Sequence, residues 1–172
     1  MEYFVPDIYQ KSIYTIDYKK LKKDGIKCLL IDLDNTLVPV EVRKPTLKNK
    51  RLINQLKEMG FKVILFSNSN RKRLIPFKEE LEVDCSYFSC KPLRFKYVKI
   101  IKSLNFDESE IACIGDQFIT DILGGNRIGI KTILVNPISR RGKANMFSLW
   151  LNGIIQKRLV KKRLFTVGKY YD

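Results

Sequence analysis

"CLLIDLDNTLVP", residues Cys28 to Pro39, sets two carboxylates, Asp32 and Asp34, one leucine apart at the end of an apolar run. Such a run reads as a buried strand, and burial disfavours an unpaired charge. The strand itself has no use for the pair. It serves whatever lies beyond the strand's carboxyl end.

The rest of the chain repeats the pattern. Apolar strands are expected at "FKVILFS" (61–67), "CSYFS" (85–89), "IACIGD" (111–116) and "KTILV" (131–135). Helical spacing runs between them. Pro45 to Met59 carries Leu47, Ile53, Leu56 and Met59, with Gly60 as the stop. Arg71–Leu81 reads as a helix that Pro76 should start or kink. "FKYVKIIKSLNF" (95–106) and "FITDILGGNRIG" (118–129) complete the series. Met1 to Gly25 reads as a lead-in with one short helix. About five strand–helix alternations predict an α/β fold: one Rossmann-like domain, a mostly parallel doubly wound sheet with helices on both faces and right-handed crossovers. The boundaries expected are a lead-in over 1–25, a core over 26–140, and a basic amphipathic helical segment over 141–172.

Ligands of such sheets bind at the carboxyl ends of the strands. Asp32 and Asp34 end the first strand, Ser67 the second and Asp116 the fourth, while Lys91 follows the third. Four strands thus deliver polar groups to one edge. Common sites are excluded. An EF-hand would need glycine where Leu37 stands and glutamate where Arg43 stands. No P-loop sequence occurs, and "GGNRIG" reads as helix termination. The chain has no histidine, which removes histidine bases, the serine–histidine–aspartate triad and the usual zinc sites. The four cysteines sit in or beside apolar runs and read as reduced core residues. No signal-peptide pattern opens the sequence, and no apolar run reaches the about 18–20 residues of a bilayer span. A cytoplasmic chain is expected, either free or peripheral on the inner face of the membrane.

The residue types fit phosphoryl transfer. Clustered carboxylates from separate strands repel one another unless a hard cation such as Mg²⁺ lies among them. One carboxylate can attack phosphorus, a second can protonate the leaving oxygen and then activate water, and a lysine and a hydroxyl can hold the phosphoryl oxygens.

"DLDNT", "FSNS", "CKP" and "GDQFITD" resemble the four ordered motifs of haloacid dehalogenase superfamily phosphatases. The resemblance implies Asp32 as nucleophile and Asp34 as general acid/base. It implies Mg²⁺ on Asp32, the backbone carbonyl of Asp34 and Asp116, supported by Asp121. Ser67, Lys91 and the backbone amide of Asn68 would bind the phosphoryl group, and Thr36 would orient the first loop. A receiver domain uses similar residues, but places an acidic pair after its first strand and its acceptor aspartate after the third; "CSYFS" has no acidic end. Neither the gap after Asp34 nor that between Ser67 and Lys91 has room for a cap domain, so an open site is expected.

The "VPD" and "SIYTID" lead-in, "DLDNTLVP", "SNSN", "TDILGGNRIGIKTILV" and the basic tail further resemble the YqeG family, related to mitochondrial phosphatidylglycerophosphate phosphatases. Cys90 stands where that branch often has arginine. This resemblance implies hydrolysis of phosphatidylglycerophosphate to phosphatidylglycerol. The net charge of +15, from 33 Lys+Arg against 18 Asp+Glu, suits an anionic partner. The tail, Met146 to Phe165, mixes Phe147, Leu149, Trp150, Leu151, Ile154, Ile155, Leu159 and Val160 with Lys157, Arg158, Lys161, Lys162 and Arg163. It reads either as an anionic-membrane contact or as a helix packed on the core with a solvated basic face. Two other functions stay open: a phosphatase of a soluble nucleotide or sugar phosphate, and a regulatory nucleic-acid- or ribosome-associated protein.

Overall fold

The computed structural model describes residues 1–139 and 146–172, with side chains over 1–139 and 149–172. Its strands are β1 (Ile8–Gln10), β2 (Cys28–Ile31), β3 (Lys62–Phe66), β4 (Asp84–Ser86), β5 (Ile111–Gly115) and β6 (Lys131–Val135). Its helices are α1 (Tyr18–Lys23), α2 (Leu47–Glu58), α3 (Arg71–Leu81), α4 (Arg94–Leu104), α5 (Gly124–Asn126) and α6 (Met146–Lys161). All six strands are parallel, in the order β1-β6-β5-β2-β3-β4.

The central strands are apolar throughout because both their faces are covered. Along β2, Leu29 and Ile31 point into a core with Leu52, Ile53 and Leu56 of α2 and Leu74 and Phe77 of α3. Cys28 and Leu30 point the other way, onto Tyr97 and Ile101 of α4. The side-chain period of two thus divides one strand between two cores. A Thr46–Asn49 capping box starts α2. Leu47, taken in the sequence as part of the apolar stripe, is 74% exposed; Leu52 fills that place instead. Pro76 neither starts nor ends α3. It lies inside the helix, which begins at Arg71 under an Asn70 cap.

The first strand was not legible in the lead-in. Ile8–Gln10 pairs with β6 and extends the sheet by one strand beyond the five expected. The chain end then pairs with it: Tyr9 and Tyr171 exchange two backbone hydrogen bonds of 2.9 Å each. This covers the outer edge of a strand that would otherwise expose unpaired amides. The tail helix packs there too. Leu159 and Phe165 are buried with Tyr9, Phe118, Ile122 and Leu134, and the Tyr9 and Phe165 rings stand 4.7 Å apart. Burying each such side chain contributes about 1.5–3 kcal/mol. Lys157, Arg158, Lys161, Lys162 and Arg163 remain exposed. Phe147 lies outside the described side chains. Among the described residues no helix is long and apolar enough to cross a membrane.

The chain leaves β2 for β3 and β4 on one side and returns to β5 and β6 on the other. The sheet order therefore reverses between β2 and β5, the place where open α/β sheets form a crevice. A loop alone joins β2 to α2, and α3 alone lies between β3 and β4. Among the described residues no cap domain covers the crevice.

Candidate active site

Asp32 follows β2 directly, and its amide still bonds Ile114 O on β5 at 2.9 Å. Asp116 follows β5. The two residues thus end adjacent strands at the switch point. Lys91, buried, joins the cluster from the loop after β4: its Nζ donates to Asp32 Oδ1 at 2.7 Å and to Asp121 Oδ1 at 2.6 Å. Asp121 is itself fixed. Its Oδ2 accepts from the Gln117 amide at 3.2 Å and from Thr120 Oγ1 at 3.0 Å. It sits on a π-helical turn, Phe118–Leu123, directly against Gly115, where a Cβ would overlap the carboxyl group.

Asn68 secures the lysine's backbone. Its Oδ1 accepts from the Lys91 amide at 2.7 Å while its Nδ2 donates to Lys91 O at 3.1 Å. The side chain of Asn68 is therefore occupied, which leaves its backbone amide for the phosphoryl role expected of it. Ser67 is buried at the end of β3, and its Oγ accepts from the Ser69 amide at 3.2 Å. Thr36 is buried, with Oγ1 3.4 Å from Asp116 Oδ1.

Asp34 has different company. Ser69 Oγ donates to its Oδ2 at 2.6 Å, and Arg73 donates to Oδ1 through Nη2 at 2.7 Å and Nε at 3.0 Å. Arg73 also donates to Val42 O, and through Nη2 to Pro39 O at 3.4 Å, which ties the loop after β2 to the start of α3. Neither Ser69 nor Arg73 was singled out in the sequence. Their one signal is position: Ser69 lies within the "SNSN" stretch (67–70) and Arg73 three residues after it, in the first turn of α3.

The electrostatics are unbalanced. Asp32, Asp116 and Asp121 face one ammonium, Lys91, since Asp34 is paired with Arg73. Desolvation pushes Asp32 up to about 7, against the pull of Lys91. Desolvation, with Asp32 and Asp121 adding, raises Asp116 well above the usual carboxylate range. Burial would lower Lys91, but Asp121 and Asp32 outweigh it and hold the ammonium charged. Among the described residues no three acidic side chains converge as a ready-made metal cage. Asp121 is turned to Lys91 and Asp34 to Arg73, which leaves Asp32 and Asp116 as carboxylate donors. That all-oxygen set suits Mg²⁺, which is typically held by one or two carboxylates, water and a substrate phosphate. Asn35 Oδ1 is the buried side-chain oxygen without a hydrogen-bond partner among the described residues.

The chain is similar to known proteins in family and in fold. The haloacid dehalogenase-like hydrolase family matches residues 44–129, a span that takes in Ser67, Lys91, Asp116 and Asp121 but begins after Asp32 and Asp34. The probable phosphatase YqeG of Bacillus subtilis is 33% identical over 159 residues, 92% of this chain and 91% of that protein. Phosphatidylglycerophosphate phosphatase 1 of Arabidopsis thaliana is 26% identical over 153 residues, 81% of this chain but 42% of that protein. A subfamily III A hydrolase of the same superfamily from Legionella pneumophila shares the fold, with a TM-score of 0.55 at 19% identity over 84% of this chain and 90% of that one. An uncapped parallel sheet with its acids at the switch point, and identity across nearly the whole length of a YqeG protein, make this chain a phosphatase of the haloacid dehalogenase-like hydrolases, in the YqeG family.

Proposed function

We propose that the chain is a Mg²⁺-dependent phosphomonoesterase acting through an aspartyl-phosphate on Asp32, and that it converts phosphatidylglycerophosphate to phosphatidylglycerol. The observation that carries the chemistry is the Lys91 bridge: its Nζ holds Asp32 Oδ1 at 2.7 Å and so orients the carboxylate at the switch point of the sheet. Asp32 Oδ2 attacks phosphorus, the bond from phosphorus to the ester oxygen breaks, and Asp34 gives its proton to that oxygen. Asp34 then takes a proton from water as the water oxygen attacks the acyl phosphate. Inorganic phosphate leaves and the Asp32 carboxylate is restored. Lys91, Ser67 and the Asn68 amide hold the phosphoryl oxygens, and Thr36 steadies Asp116. Asp32, Asp116 and the Asp34 carbonyl would hold Mg²⁺, supported by Asp121; the cation supplies positive charge against the transferring phosphoryl group.

The lipid substrate draws support from the uncapped site, from the exposed basic face of the tail, and from the similarity to the plant enzyme. Residues 26–140 would form the phosphatase core, working on the cytoplasmic face of an anionic membrane, with 1–25 and 141–172 flanking it. A soluble phosphoester is the second reading, favoured by the burial of Leu159 and Phe165, which commits one face of α6 and the following turn to packing. Purified protein assayed with Mg²⁺ against phosphatidylglycerophosphate and a panel of nucleotide and sugar phosphates separates the two. A preference for the lipid is expected; turnover confined to soluble esters would overturn it.

A further inference from the structure

The loop that delivers Lys91 to the site, with the first turn of α4 that follows it, carries large apolar side chains outward. Phe88, Leu93 and Phe95 are 56%, 53% and 55% exposed, although all lie within four residues of a buried lysine. The backbone between them is pinned. The Phe88 amide donates to Ser69 O at 3.0 Å, Ser89 Oγ to Ser86 O at 2.8 Å, and Asn68 clasps the Lys91 peptide. Phe88 and Cys90 both take positive φ, 48° and 51°, a conformation that side-chain-bearing residues rarely adopt. These apolar groups are therefore presented on a hydrogen-bonded backbone, close together in the chain rather than scattered singly.

The charge around them has one sign. From Cys85 to Phe106 there is no Asp or Glu, while Lys91, Arg94, Lys96, Lys99 and Lys102 are basic. Arg94 and Lys99 are exposed. Leu93, Arg94 and Phe95 line a surface groove together with Phe4, Leu123 and Arg127. Leu93 lies two residues beyond Lys91, and Leu123 two beyond Asp121; the ion pair between Lys91 and Asp121 joins those segments. The groove is thus lined by the two chain segments whose Lys91 and Asp121 side chains meet in the site.

We propose that this loop is a docking collar for an anionic phospholipid bilayer. Phe88, Leu93 and Phe95 enter the interfacial region, and Arg94 and Lys99 meet the headgroups, so a phosphate on the lipid surface reaches Asp32 without leaving it. Apolar groups interleaved with exposed cations, and no acid among them, match a negatively charged lipid surface. The inference rests on the lipid reading of the substrate and moves the main membrane contact from the tail to the mouth of the site.

Co-sedimentation with phosphatidylglycerol vesicles, phosphatidylcholine vesicles and single-stranded RNA tests it, using wild type, Leu93→Gln/Phe95→Gln and Arg94→Glu. Wild type should bind the anionic vesicles, each variant about tenfold more weakly, with salt weakening all. Turnover of p-nitrophenyl phosphate should be unchanged in both variants. Undiminished vesicle binding by both variants overturns the collar, as does a wild type that ignores vesicles and binds RNA instead. Hydrolysis of phosphatidylglycerophosphate in detergent micelles reads the substrate separately. Its absence beside collar-dependent vesicle binding would sink the lipid substrate and leave the collar standing.

Discussion

Arg73 grips Asp34 through two nitrogens on a single carboxylate oxygen, at 2.7 and 3.0 Å, while Ser69 holds the other oxygen at 2.6 Å. An ionised Asp34 suits the second half of the proposed reaction, in which it takes a proton from water. In the first half it must carry a proton to the leaving oxygen, so the grip has to loosen before that step and can close again once the proton has been given up.

Arg73 is accordingly a positioning residue for proton transfer. Arg73→Ala should lower kcat by about 10- to 100-fold on an alkyl phosphoester, whose leaving oxygen needs the proton, and much less on p-nitrophenyl phosphate. Arg73→Lys should recover part of the loss. Equal losses on both esters would mean that Arg73 merely ties down the loop at Pro39 and Val42.

Lys91 is enclosed by Asp32 and Asp121. Lys91→Met leaves both carboxylates buried without their cation, which should cost about 3–5 kcal/mol in urea unfolding and abolish turnover. Lys91→Met/Asp121→Asn should be more stable than Lys91→Met alone, because one of the stranded charges is gone. Simple additivity of the two substitutions would contradict a shared ion-pair network.

The raised carboxyl groups give a pH dependence with a definite sign. Asp32 has a folded pKa of about 7 against an ordinary value of 3.8, so between those values the folded state binds more protons than the unfolded one. Without metal, this group's contribution to stability is most favourable below about 4 and falls as pH rises towards 7. Asp116, also raised, acts in the same direction. A cation on these oxygens favours their ionised forms, so the rise in Tm on adding Mg²⁺ should be larger at pH 8 than at pH 5. A Mg²⁺ effect that shrinks with rising pH would contradict the donor set.

Gly115 offers a test that changes no charge. Gly115→Ala drives a Cβ into the Asp121 carboxyl. It should displace Asp121 from Lys91 and lower turnover by at least about tenfold, with a loss of stability of about 1–3 kcal/mol. Wild-type kinetics in that variant would show that Asp121 need not hold Lys91.

Legibility followed burial. β2, β3, β5 and β6 could be read because covered strands must be apolar on both faces, and Asp32, Ser67 and Asp116 stood out because each interrupts such a run at its end. β1 could not: Ile8-Tyr9-Gln10 is short, and its strand character comes from β6, over a hundred residues away, and from Tyr171. The carboxylates read as a metal cluster because their strand ends converge. Which of them turn aside to Lys91 and Arg73 depends on side-chain reach across the crevice, which spacing does not encode. Arg73 itself looks like any basic residue in the first turn of a helix; only the loop folded against it gives it a partner.

The central claim is a covalent phosphoryl group on Asp32, and acid-quenched enzyme tests it most directly. Trypsin would release residues 28–43, "CLLIDLDNTLVPVEVR", as one peptide carrying both Asp32 and Asp34. Mass spectrometry after brief turnover with Mg²⁺ should find one phosphoryl increment on that peptide, fragmenting to Asp32, and none in Asp32→Asn, which should be folded and inactive. An unmodified peptide from turning-over enzyme, together with substantial turnover by Asp32→Asn, would contradict the account.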